Sequence, residues 1–208
     1  MGQASRLRFA RGSSGADQWR FVFAEPAAPL RGHVLRYCGY VETTATPMKR
    51  RELPFGGIPM IINLGPTLRV AQASDRISWV RQGTGFIAGL HDRFTLTETS
   101  GAQRGMQIDF SPIGASLFLD RPLRALNNAV IDLETLLGPE APFLIEALDA
   151  APGWEERSRC STKRSRSGCW RRRRSIANSP ISGASSKPAP ARSRSARWPK
   201  MSAGRASI

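Results

Sequence analysis

His33 and His91 are the only imidazoles in the chain. A bound metal needs several His, Cys or carboxylate donors to converge, commonly with two of them close in sequence. These two histidines are far apart and neither has a second imidazole nearby, so they read as structural or surface residues, with no metal and no cofactor expected. A hydrolase needs a nucleophile, a base and an oxyanion site. Ser111 stands before a proline and Ser116 a few residues on, as a helix cap and a helix-surface residue would, and no Gly-x-Ser-x-Gly elbow occurs. Asp92, Glu98 and Asp109 are carboxylates for an acid–base pair on paper, but acidic residues on strands of a soluble domain are usually only solvated. No enzyme is expected.

Two other sets remain. Trp79, Phe86 and Phe94 sit in short apolar runs and are candidates to line an effector pocket inside a β-rich unit. Trp170 with Arg171, Arg172, Arg173 and Arg174 offers cations for phosphates and an indole for base stacking. That pairing predicts non-specific, salt-sensitive binding to polyanions.

The elements that must position these residues are mostly strands. The stretch RELPFGGIPMIINLG passes from a charged edge through a Pro-Phe-Gly-Gly turn into the apolar run 58–64. That run reads as a strand buried on both faces, with Pro59 at its start or on an edge. Residues 19–24 and 30–41 are further strands, the latter alternating Val34, Arg36, Cys38 and Tyr40. The segment 42–54 reads as a polar connection. Residues 68–71, 77–80, 85–88, 91–99 and 105–110 follow as short strands at spacings of roughly 8–12 residues, the pattern of an all-β barrel or sandwich.

After Phe110 the period changes. Ser111-Pro112 can cap a helix with proline at its first position. Residues 130–137 repeat apolar groups at i, i+3 and i+7, which predicts a helix ended by Gly138-Pro139, and 142–150 predicts another.

Charge divides the chain sharply. Of 31 Lys and Arg, 14 lie after Arg157, where no Asp or Glu occurs; the preceding part is nearly neutral, with 17 basic and 16 acidic residues. From Ser158 onward Ser, Ala, Pro and Arg mix without hydrophobic period, which is the composition of a disordered basic tail. Residues 1–18 read as a disordered lead-in. The three cysteines, Cys38, Cys160 and Cys169, are odd in number and lack metal-type spacing. With no apolar leader and no membrane-length apolar run, reduced thiols in a cytoplasm are expected, away from any membrane.

Over about residues 25–157 the series LRYCGY, RELPFGGIPMIINLG, FIAGL, GMQIDFSPIGASLFL, VIDLETLLG and GWEER resembles the N-terminal sensor domain of AraC-type transcriptional regulators. The strand-to-helix joint DFSPIGA carries most of that likeness. The resemblance implies a mainly β fold with small helices: a cupin-like β-barrel sensor and dimerisation domain over 19–157. It also implies a small-molecule effector, a homodimer, and DNA as the partner of intact members through two helix-turn-helix units. No effector-site residue carries over, because no motif here names one.

The tail 158–208 departs from that pattern. With GC-rich codons assigned and reading begun at the third base of the Arg157 codon, it yields LALLDEALAERLL and later VSIGALAEDVGWSR. The first is an amphipathic helix; the second resembles the opening helix and turn of a helix-turn-helix. The tail therefore reads as out-of-frame sequence that replaces the DNA-reading half. Two other readings stand beside this one. One is a free-standing small-molecule-binding β-barrel with a basic nucleic-acid-binding tail; the other is a small cupin-like enzyme.

Overall fold

The computed structural model describes residues 7–72, 76–154 and 157. In chain order these form β1 (Leu7–Ser14), β2 (Asp17–Ala24), β3 (Val34–Thr43), β4 (Met48–Glu52), β5 (Ile58–Asn63), β6 (Leu68–Ala71), β7 (Ile77–Val80), β8 (Thr84–Ala88), β9 (Thr95–Thr99) and β10 (Ala102–Phe110). Then come helix α1 (Pro112–Leu119), β11 (Val130–Asp132), α2 (Leu133–Leu137) and α3 (Glu140–Ala150). The fold is thus mainly β with small helices. Seven strands make one sheet in the order β1-β2-β3-β10-β5-β8-β11, and four make a second in the order β4-β9-β6-β7. Every neighbouring pair is antiparallel.

Alternation in the central strands explains the layering. On β10, Met106, Ile108 and Phe110 face a dry core. That core also takes Ile58, Met60 and Ile62 of β5 and, from the helices, Ala115, Leu133, Leu144, Ile145 and Leu148. The intervening residues of β5 and β10 face the second sheet. Phe86 of β8 packs there with Leu68, Val70 and Val80 of the small sheet. The strand 58–64 is therefore covered on both faces, as its sequence suggested. Pro59 pairs with Asp109 of β10, whereas the ladder to β8 begins only at Met60. The residue without an N–H lies where β5 is paired on one side only.

The joint at the end of β10 matches the sequence reading. Ser111 is the N-cap of α1: its Oγ accepts from the Gly114 N–H at 3.1 Å, and Pro112 holds the first helical turn. The same hydroxyl donates to the Gly32 carbonyl at 2.7 Å, tying the helix start to the turn before β3.

Four expectations are corrected. Residues 7–18, read as part of a disordered lead-in, form β1 and the start of β2, joined at a two-residue turn whose Gly15 has φ 59°. This edge strand is mostly exposed and carries Arg8 and Arg11, so it lacks the apolar signature of a buried strand. The polar connection 42–54 contains β4, which pairs with β9 through Lys49 opposite Glu98. The segment 130–137 splits: β-branched Val130 and Ile131 extend the β8 edge, and a helix starts only at Leu133. Finally, Asp109 pairs with Arg36 but Phe110 with Val34, so Leu35 is an extra residue in β3. This bulge places Val34 and Tyr37 in the core and turns Arg36, Tyr40 and Glu42 toward the second sheet. The predicted tail, with Trp170 and Arg171, Arg172, Arg173 and Arg174, lies outside the described residues, as do Cys160 and Cys169.

Candidate functional site

Between the two sheets lies a cavity of about 470 Å³, large enough for a small organic ligand. One part of its wall is apolar: Pro59 and Ile61 of β5, Leu68 and Val70 of β6, Phe86 and Ala88 of β8, and Val130 of β11. Another part is polar: Arg36, Tyr40 and Glu42 of β3 stand beside Gln103 and Gln107 of β10, with Arg50 and Glu52 of β4 and Thr95 and Thr97 of β9. Leu53, Pro54 and Phe55, in the exposed loop between β4 and β5, also line it.

The charges on the polar wall come in pairs. The buried Glu42 carboxylate accepts from Arg50 Nη1 at 2.6 Å and from Gln103 Nε2. The buried Asp109 carboxylate accepts from Arg36 Nε and, at 2.7 Å, from Gln107 Nε2. Because a carboxylate only accepts, each glutamine must turn its NH₂ to the acid. Its amide oxygen then points elsewhere, with no donor among the described residues. Glu52 accepts from the Thr97 hydroxyl at 3.0 Å.

Apart from the exposed Arg93, the other polar groups of the wall include a phenol and an imidazole. Burial pushes the Tyr40 phenol pKa up, helped by Cys38, Glu42 and Glu52, so it keeps its proton. The ring lies over Gly105, where any Cβ would collide with it. Burial likewise holds the His91 imidazole below its ordinary value, against a backbone hydrogen bond to Ala129 and the charge of Asp92. Its Nε2 is buried without a partner among the described residues. Cys38, on the same strand, is raised to about 11, chiefly by burial; Arg36 opposes the shift, and Asp109 and Glu42 add to it.

Of the three aromatic candidates only Phe86 lines the cavity. Leu68 and Val70 face inward on β6, so Arg69 and its β7 partner Trp79 face out. Trp79 is 65% exposed, with the Arg69 guanidinium 5.9 Å from its ring. Phe94 is 42% exposed under Arg51. His33 lies at the α1 joint, its carbonyl accepting from the Ser111 N–H at 2.9 Å. The three carboxylates weighed for acid–base chemistry do not converge. Asp92 is exposed, Glu98 is engaged by Lys49 and Arg69 on the outer face of the small sheet, and Asp109 is tied to Arg36. Among the described residues no cluster of three His, Cys, Asp or Glu could hold a metal ion. The polar wall was missed in the sequence because its residues occupy alternate positions of β3 and β10, which read as solvent-facing.

No curated protein matches the sequence. Among solved structures, the AraC-like transcriptional activator CuxR aligns with 87% of this chain and 65% of its own, at 14% identity and a TM-score of 0.44. The iron(II) form of HppE aligns at 8% identity and a TM-score of 0.39, over 50% of this chain and 56% of its own. EutQ of Clostridium difficile aligns at 9% identity and a TM-score of 0.34, over 49% and 75%. This chain thus spans less than two-thirds of the length of CuxR and of HppE. The family described as a domain of unknown function, DUF6597, matches residues 23–132, from β2 through β11 and so across most of the cavity wall. That match covers more than half of the sequence, and the chain belongs to the DUF6597 family.

Proposed function

We propose that residues 19–157 are the effector-sensing and dimerising part of an AraC-type transcription regulator working in the cytoplasm, a binding module with no catalytic step of its own. The cavity carries this reading: an apolar floor and a polar wall of fixed pairs, built by the same strands whose motifs resemble that family. In an intact regulator an effector acts by binding one arrangement of the domains better than another. The arrangement it favours decides how two helix-turn-helix units meet successive major-groove half-sites.

In this chain the segment after Arg157 is proposed to be out of frame, so the DNA-reading half is replaced by a basic tail. The 14 cations of that tail, with Trp170 and Arg171, Arg172, Arg173 and Arg174 at their densest point, then bind nucleic acid without sequence preference and weaken steeply with salt. Sequencing the gene across the Arg157 codon tests the frame, and filter binding tests the tail. A one-base shift is expected to open a long frame encoding helix-turn-helix units, and its absence defeats the proposal. Site-selective or salt-indifferent binding by the present chain defeats it as well.

A further inference from the structure

The cavity wall sorts its polar groups in a way that restricts the occupant. Glu42 on the wall and the buried Asp109 behind it are matched by two wall guanidiniums, Arg50 and Arg36. Glu52 and Arg93 also line the cavity; both are exposed and opposite in sign, so water and salt screen them. With Asp109 counted as the partner of Arg36, the fixed charge around the cavity sums to zero, and a charged ligand would enter without a counter-charge. Burying an unmatched charge is strongly unfavourable. What the wall still offers is neutral: the Tyr40 hydroxyl, without a hydrogen-bond partner among the described residues, and the outward amide oxygens of Gln103 and Gln107. Those oxygens ask for a donor, such as a hydroxyl or an amide N–H. Beside them on the same sheet lie Ile61 and Phe86, and Val70 lines the cavity from the other sheet.

We propose that the cavity binds an uncharged amphiphilic small molecule, its ring or chain against Ile61, Val70 and Phe86 and its hydroxyl or amide donors toward Tyr40, Gln103 and Gln107. This rests on the sensing role argued above and adds the chemistry of the effector.

Three probes with one apolar body separate the cases: naphthalene methanol, naphthoate and naphthylmethylammonium. Each is titrated against the full chain by ligand-observed NMR at high salt, which suppresses binding of the anion to the basic tail. Only binding lost in a plugged variant counts as cavity binding. Ala88→Phe and Thr97→Phe plug the space from different sheets, so one misfolded variant leaves the other. Naphthalene methanol is expected to bind in a plug-sensitive way, at least about tenfold tighter than either charged probe. Tyr40→Phe is expected to weaken it by about threefold to tenfold, the loss of one hydrogen bond. Plug-sensitive binding of naphthoate or the ammonium as tight as that of the alcohol overturns the uncharged class and leaves the sensing role standing. No plug-sensitive binding of any probe overturns both.

Discussion

Gly39 and Trp154 offer a double-mutant test with a sign reversal. The indole of Trp154, four residues beyond α3, lies so close over the Gly39 backbone of β3 that any Cβ there would overlap its six-membered ring. The Arg157 guanidinium also lies over the ring, 4.6 Å from its centroid. Trp154 is half-buried, so Trp154→Ala costs less than a full core truncation of about 3–5 kcal/mol; we expect about 2–3 kcal/mol. Gly39→Ala forces the ring off the strand and should lose most of the same contact. Its own backbone effect has the opposite sign, because alanine is preferred over glycine inside a strand by roughly 0.5–1 kcal/mol. The single variant is therefore expected to lose about 1–2 kcal/mol. In a Trp154→Ala background the clash is gone, and Gly39→Ala should become neutral or stabilising by about 0.5–1 kcal/mol. The coupling between the two sites is then about 1.5–3 kcal/mol. Urea denaturation of all four proteins, followed by circular dichroism, measures it. If Gly39→Ala costs the same in both backgrounds, the ring does not rest on this glycine and the reasoning fails.

Two further outcomes follow from groups around the same sheet. The Cys38 thiol is raised from 9.0 to about 11 when folded, so between these values the native state holds a proton that the unfolded chain releases. The Cys38 contribution to stability should then fall as pH rises from about 9 to about 11, by at most about 1.4 kcal/mol per pH unit, with the raised Tyr40 phenol adding to the total slope above about 10. Cys38→Ser should flatten that slope in pH-dependent denaturation; an unchanged slope would refute the assignment. At the strand-to-helix joint, Ser111→Ala removes both the cap to Gly114 and the bond to Gly32. It should cost about 1–2 kcal/mol in the same assay, with Ser111→Asp intermediate because it keeps only the cap; an aspartate no better than alanine would count against the capping geometry.

The sequence is most legible where one physical requirement dominates. Residues 106–110 alternate, with Met106, Ile108 and Phe110 against a dry core. Ser111-Pro112 marks the helix start because the free N–H groups of a first turn need an acceptor. β1 and β4 are invisible by that logic, since an edge strand and a strand with mostly exposed residues bury too little to show a period. Residues 130–137 satisfy a helical repeat and a strand-then-helix equally well, and only the open edge of β8 decides between them. The cavity wall hides for a different reason. Glu42, Gln103 and Gln107 look like positions facing bulk water, and local pattern does not tell a wet enclosure from the outside. Trp79 misleads in the converse way, because an aromatic side chain on a short strand can lie flat on the outer face under an arginine.

The two-sided burial of β10 has a consequence for how the strands find their partners. In a sheet with one wet face, a strand that slides by one residue merely exposes its oily side chains. Here the same slip would drive Asp109 and Gln107 into the places of Phe110 and Ile108, and turn phenylalanine, isoleucine and methionine toward Arg36 and the polar side of the cavity. Both faces penalise the error at once. The polar face of β10 thus serves as a proofreading device during assembly.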